Sequence, residues 1–354
     1  MTTIIYTCPY VPAEWIAAHG LSASRLLLDR ADSALSLAGA EGVCPYVRSF
    51  IGEVTTNTSA AGVVVTTVCD QMRRAFDIIV RGCDLPAFLM NVPNTWQTLA
   101  AQRLYVDELK RLSRFLIQLG GTSPSNEGLA RIMREYDDAR RSLRSARQYL
   151  SARQYAEAIA VGGSLPPGRD GSRGEAVSAL RPAGILPAVE NKGKMPSPRS
   201  ALEAATLRVP LAIVGGPLMR HDLEIFDIVE QLGGRIVLDA TETGERGMCA
   251  PFDRRGLRDE PLMELAHAYF GGIQDASRRP NSELYKWLKR ELAGRAVRGI
   301  IFRRYLWCDM WHAELGRLKD WIDLPVLDID SAGDNETERH RTSDRIRAFL
   351  EVLQ

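Results

Sequence analysis

The chain has 354 residues, 45% of them hydrophobic and 25% charged, with a formal net charge of +1. That is enough apolar material for two cored lobes, since single cores stop growing at roughly 250–300 residues. The neutral balance supplies no field to draw in nucleic acid or an anionic membrane, and six cysteines are too sparse for a disulfide scaffold.

The opening MTTIIYTCPYVPAEW lacks a basic stretch followed by an apolar one, so no secretory signal is expected. No apolar run approaches the roughly 20 residues of a membrane span, and a soluble, cytoplasmic protein is the expectation. Thr2 to Tyr6 is short and β-branched, as suits a buried strand. Pro12 opens a helical stretch that Gly20 closes, and SRLLL at 24–28 reads as the next strand. The run GVVVTTV at 62–68 is the clearest strand of this third, of the kind covered on both faces. It ends at Cys69-Asp70, and QMRRAFDIIV behind it has helical spacing. Residues 97–161 repeat apolar positions at three and four, which predicts helices with a solvated charged face.

Residues 162–205 are dense in Pro and Gly and cannot bury enough apolar area to offset their ordering entropy. A disordered insert without a catalytic role is expected there, removable without loss of folding. The α/β pattern then resumes. RVPLAIVGGPL, RIVLDA, GIIFRRYLWCD and DLPVLDID read as strands, and RTSDRIRAFLEVL as a closing helix. The predicted organisation is an α/β lobe (1–96), a helical region (97–161), the insert (162–205) and a second α/β lobe (206–354).

Chemistry is expected where buried strands end. Cys69 and Cys308 each stand at such a point, in different lobes, and each is followed by Asp. Cys44, in CPYVRS, has Arg48 four residues on, and Cys69 is followed by Arg73 and Arg74. Cationic neighbours favour the thiolate, the form that ligates metal. No CxxC pair occurs among these three, so neither a zinc ribbon nor a ferredoxin spacing is present. Cys83, in RGCDLPAF, reads as a packed thiol, and the five histidines show no metal spacing. Gly215-Gly216-Pro217 is either a tight turn or a seat for a phosphate of coenzyme A. Glu242, Glu245 and Arg246 follow a strand of the second lobe as candidates for substrate contact, the alternative being a structural ion pair. Trp307 and Trp311 flank Cys308, where they would shield a metal site from water or simply pack.

Taken in order, YTCPYVPAEWIAAHG, CPYVRS, TTVCDQMRRAFD, LMNVPNTW, LYVDELKRLSRFLIQLGG, IVEQLGGRIVLDATETGER and VRGIIFRRYLWCDMWHAE resemble the subunits of 2-hydroxyacyl-CoA dehydratases and the related benzoyl-CoA reductases. The resemblance spans nearly the whole chain outside the insert. It implies two Rossmann- or flavodoxin-like lobes with parallel sheets, joined by a helical region, with a [4Fe–4S] cluster in the cleft on Cys44, Cys69 and Cys308. It further implies a homologous second subunit or a homodimer, and a separate ATP-hydrolysing iron–sulfur activator that injects one electron. The substrate implied is an acyl-CoA that loses its 2-hydroxyl through a ketyl radical. No flavin or NAD is expected, and the absence of a GxxxxGK[ST] loop agrees with ATP being handled by a partner. A double-cubane branch of the family uses more cysteines. Cys8 matches one of them, Cys249 lies near another, and Glu242 stands where that branch has cysteine. The alternatives carried forward are a non-catalytic partner subunit of a heterodimer and a double-cubane or benzoyl-CoA-type reductase.

Overall fold

The computed structural model describes residues 2–29, 42–162, 208–331 and 336–354. The expected disordered insert, 162–205, lies outside the described residues apart from Gly162. In the first half, β1 (Thr3–Tyr6), β2 (Ser22–Arg25), β3 (Gly62–Thr66) and β4 (Ala87–Met90) form a parallel sheet in the order β2-β1-β3-β4. Its helices are α1 (Ala13–Ala18), α2 (Pro45–Thr56), α3 (Asp70–Gly82), α4 (Leu99–Gln118), α5 (Asn126–Ala146) and α6 (Ala152–Gly162). In the second half, β5 (Val209–Gly215), β6 (Gly234–Ala240), β7 (Gly299–Tyr305) and β8 (Val326–Ser331) form another parallel sheet in the equivalent order β6-β5-β7-β8. The helices here are α7 (Glu224–Gln231), α8 (Arg254–Asp259), α9 (Pro261–Ala266), α10 (Ser282–Gly294), α11 (Asp309–Trp321) and α12 (Glu336–Leu353). The protein is thus α/β with two Rossmann-like lobes. In each sheet the strand order reverses between the first and third strands of that lobe, and such a switch point opens a crevice at the strands' carboxyl ends.

Alternation along the strands explains why both faces are covered. Ile4, Tyr6, Val64, Phe88 and Met90 point into a core with α1, α4 and α5, whereas Ile5, Val63 and Val65 point into another with α2 and α3. The second sheet divides in the same way. Leu211, Ile213 and Ile301 meet α6, α7 and α12, while Ala212, Val214, Ile300 and Phe302 meet α10 and α11. Side-chain caps set the long helices: Thr98 accepts from the Ala101 N–H at the start of α4, and Ser125 from the Gly128 N–H at the start of α5. Among the described residues no helix is long and apolar enough to cross a membrane.

β2 ends earlier than the expected strand at 24–28. The Leu26 N–H still reaches the Tyr6 carbonyl at 2.7 Å, but the Leu28 carbonyl accepts from Arg220 N–H of the other lobe at 2.8 Å. The chain is drawn out of the sheet and into the lobe contact.

The lobes interleave. Phe252, Leu257, Leu265, Tyr269, Phe270 and Ile273, encoded in the second half, pack into the first core. Buried Glu14 of α1 accepts from Arg140 of α5 and from the Tyr269 hydroxyl at 2.6 Å. The Tyr10 hydroxyl donates to the Ile273 carbonyl at 3.1 Å, and the Arg279 N–H to the Asn94 carbonyl at 2.9 Å. These bonds hold the carboxyl ends of β1 and β4 against the second lobe.

Candidate metal centre

The two lobes repeat one local design. β3 ends at Thr66 and β7 at Tyr305; three residues on stand Cys69 and Cys308, and the following Asp70 or Asp309 begins a helix. Cys44 likewise caps α2, whose first residue is Pro45. All three cysteines therefore occupy helix amino termini. The first turn of a helix leaves N–H groups without intrahelical partners, and these suit an anionic sulfur. Met72 N–H donates to Cys69 Sγ at 3.4 Å. At Cys44 and Cys308 no side-chain cap hydrogen bond is formed, but the N–H groups of Val47 and Trp311 still favour the thiolates. In each case the donor lies three residues beyond its cysteine.

The thiols feel one another's charge. Cys44 and Cys308 both raise the Cys69 thiol, and Cys44 raises that of Cys308. Cys44 N–H also donates to Gln71 Oε1 at 3.1 Å, which ties the start of α2 to the start of α3. Burial pushes the thiols of Cys69 and Cys308 up to about 12, and pushes Cys44 up as well. The expectation that arginines lower these thiols holds only for Arg48, which opposes the rise at Cys44. Arg73 instead faces Asp70 at the surface, 3.8 Å away. Desolvation outweighs charge here because the strand ends lie inside the lobe contact.

Cys8 and Cys249 lie in the first core. Cys8 is raised by burial, then by Glu242; Cys249 is pushed by burial up to about 12, beside Arg140, Glu14 and Tyr269. Cys83 ends α3 and its thiol donates to the Ile79 carbonyl at 3.4 Å, as a packed thiol would.

Glu242 is half-buried. Its N–H donates to the Gly216 carbonyl at 3.2 Å, and its carbonyl accepts from Arg25 of the other lobe at 3.0 Å. Burial and the nearby Asp275 push its carboxyl up to about 7, against Arg246 and Arg25. Its charge in turn reaches Cys8, Cys69 and Cys308. Glu245 is held by Arg295 at 2.8 Å and Arg147 at 2.7 Å. Arg246 is buried, pairs with Asp275, donates to the carbonyls of Ala240, Gln274 and Gly215, and lies 4.8 Å from the Trp311 ring centroid. These two residues are occupied by ion pairs, whereas no ion pair is formed by Glu242 among the described residues. The turn after β5 is glycine for a packing reason: a Cβ on Gly215 would stand 1.9 Å from the Arg303 carbonyl oxygen.

Trp311 is buried and packs on Phe302, but Trp307 is 54% exposed and takes a left-handed φ of 63°, uncommon for a bulky residue. Just before this loop, the Tyr305 ring stacks on Tyr46 at 6.0 Å, and its hydroxyl bonds Asp222 and the Met219 N–H. The segments carrying Cys44 and Cys308 are thereby joined across the lobes. His19 bonds the Trp15 carbonyl and Ser113, both at 2.7 Å, in a structural role.

Among the described residues no three His, Cys, Asp or Glu side chains are gathered tightly enough for a single metal ion. Three dispersed, soft donors suit a cubane better, since each cysteine then binds a different iron. Backbone N–H groups directed at sulfur complete a donor set that fits such a cluster. Sequence reasoning missed Arg25, Gln71, Asp275 and Tyr305. None carries a local motif, and only the Gln71 position, two residues beyond Cys69, offered a signal.

No individual curated protein matches the chain. Residues 8–353 match the family described as 2-hydroxyglutaryl-CoA dehydratase, D-component, a span that holds every strand but β1 and all three cysteines. The chain belongs to that family of dehydratase components.

Proposed function

We propose that this chain carries a [4Fe–4S] cluster on Cys44, Cys69 and Cys308 and takes part in the radical elimination of water from a 2-hydroxyacyl-CoA. The observation that supports this most is the threefold repeat of one placement: a cysteine at a helix amino terminus, with Cys44 and Cys308 both acting on the Cys69 thiol. When bound, the cluster supplies one low-potential electron to the thioester, received from an ATP-hydrolysing iron–sulfur activator. The chain's own residues do the rest. α2, α3 and α11 orient the sulfurs, Trp311 and the interleaved cores limit water, and Arg25 bonds the main chain of Glu242 across the lobe contact. A homologous second subunit completes the enzyme.

Anoxic purification followed by iron and sulfide analysis tests the reading. About four iron per chain are expected. Cys44→Ser, Cys69→Ser and Cys308→Ser should each lower that content and alter the paramagnetic spectrum, while Cys83→Ser should leave both unchanged. Full iron content in all three variants would defeat the assignment. Iron near eight per chain would instead point to a double cubane drawing on Cys8 and Cys249.

A further inference from the structure

Tyr305 stands where two cysteine turns meet across the lobes, and each part of it is held by a direct contact. Its carbonyl accepts from the Cys308 N–H at 3.2 Å, which places it at the foot of that turn. Its ring stacks on Tyr46 of the first lobe, with centroids 6.0 Å and planes 30° apart. Tyr46 lies in the first turn of α2, two residues past Cys44. The Tyr305 hydroxyl accepts from the Met219 N–H at 3.0 Å and donates to Asp222. Asp222 sits in the single turn Arg220–Leu223 after β5, and its carboxylate also accepts from Met219 N–H at 2.9 Å and from Arg303 Nε–H at 3.1 Å. The hydroxyl is therefore fixed both as donor and as acceptor, and the ring has one seat.

The ion pair that builds this seat is an unusual choice for stability. Asp222 is 4% exposed and Arg303 3%. A buried pair gives little net stability over apolar side chains of similar volume, because both ions lose their water. Apolar residues would fill the space equally well but would leave the Tyr305 hydroxyl without its acceptor, and the ring free to slide on Tyr46. The carboxylate contributes a fixed position rather than cohesion.

Resting on the cluster reading, we propose that Asp222 is a positioning residue. Through the Tyr305 hydroxyl it sets how far the Cys44 turn stands from the Cys308 turn, and so the shape of the cluster that both would hold. Within the first lobe the matching link is Gln71, whose Oε1 accepts from the Cys44 N–H at 3.1 Å, two residues beyond Cys69. Between the lobes the link is Tyr305.

The test uses the full chain, purified and loaded with iron without oxygen, as wild type, Tyr305→Phe, Asp222→Asn, the double variant and Tyr269→Phe. Tyr305→Phe keeps the ring and its stacking and removes only the hydroxyl. Tyr269→Phe removes a comparably buried hydroxyl from another carboxylate, Glu14, in the first core. Iron and sulfide are measured first, then the paramagnetic spectrum, the midpoint potential and the rate of iron release to a chelator. Tyr305→Phe and Asp222→Asn should load iron as wild type does, shift the spectrum and the potential, and release iron about fivefold faster, as the loss of one hydrogen bond would. The double variant should shift no further than Asp222→Asn alone, since one residue acts through the other. Tyr269→Phe should keep the wild-type spectrum and potential. Where Asp222→Asn does not fold, the comparison of Tyr305→Phe with Tyr269→Phe decides. A wild-type spectrum and potential in Tyr305→Phe, or an equal shift in Tyr269→Phe, would overturn the positioning role while leaving the cluster in place. Wild-type protein that binds no iron would overturn the cluster reading, and this role with it.

Discussion

Cys69 and Cys308 are half-buried thiols at helix starts, and the two influences oppose each other. Helix amino termini favour the thiolate, but removal from water disfavours it more, and both thiols rise to about 12. In the metal-free fold they are therefore neutral at pH 8, whereas in the unfolded chain their pKa returns to about 8.5. The sign follows. Folded-state values above unfolded ones stabilise the metal-free protein fully below about pH 8.5, and that contribution is lost as pH rises towards 12. Iodoacetamide labelling at pH 8, read by mass spectrometry, should be at least about a hundredfold slower at these cysteines in the folded apoprotein than in urea. Equal rates would show that the thiols are not shielded. Iron loading has to expel these protons, so its rate should increase with pH. These thiols and their strand-end positions were legible in the sequence, because GVVVTTV and GIIFRRY announce buried strands and the cysteines follow directly. Their protonation was not legible: Arg73 and Arg74 suggested a lowered value, and only the packed lobes reveal how little water reaches the sulfur.

At the level of elements, the strand–cysteine–helix unit recurs in both lobes, but with one difference. The connection after β3 runs without strain, while Trp307, directly before Cys308, adopts a left-handed backbone. For a residue with a Cβ that conformation costs roughly 1–2 kcal/mol. With its indole 54% exposed, Trp307 recovers little of that by burial. Trp307→Gly should raise the unfolding free energy of the iron-free protein by about 1 kcal/mol in a urea titration. A loss of stability instead would mean that the indole contributes packing that outweighs its backbone. Parallel pairing was foreseeable from the alternation of strand and helix, since parallel strands demand crossovers. The early end of β2 was not, because Leu28 is claimed by a backbone N–H that lies almost two hundred residues away in the chain, at Arg220.

The whole molecule is less divisible than its two sheets suggest. The sequence-based boundary at 206 separates β1–β4 from β5–β8, yet the first core crosses it, taking in Phe252, Leu257, Leu265 and Phe270. That segment also brings Tyr269 to Glu14, whose pair with Arg140 is buried. A fragment ending at Gly162 would bare the apolar face of α4 and α5 and leave Glu14 short of a partner. It should therefore be insoluble, or lack a cooperative thermal transition, when expressed alone; a sharp transition in circular dichroism would show that the first lobe is self-sufficient. No local pattern could have announced this exchange, since α8 and α9 are short and their apolar residues are equally suited to either lobe.

The interleaving also orders events at the ribosome. β1 to β4 leave the exit tunnel with their outer helices but without the residues that seal them, which are translated only by Ile273. At typical elongation rates that delay is on the order of ten seconds, far longer than helices and hairpins need to form. The nascent chain therefore presents an uncovered greasy surface during synthesis, and its yield should depend on chaperone supply more steeply than that of a protein whose first domain closes by itself.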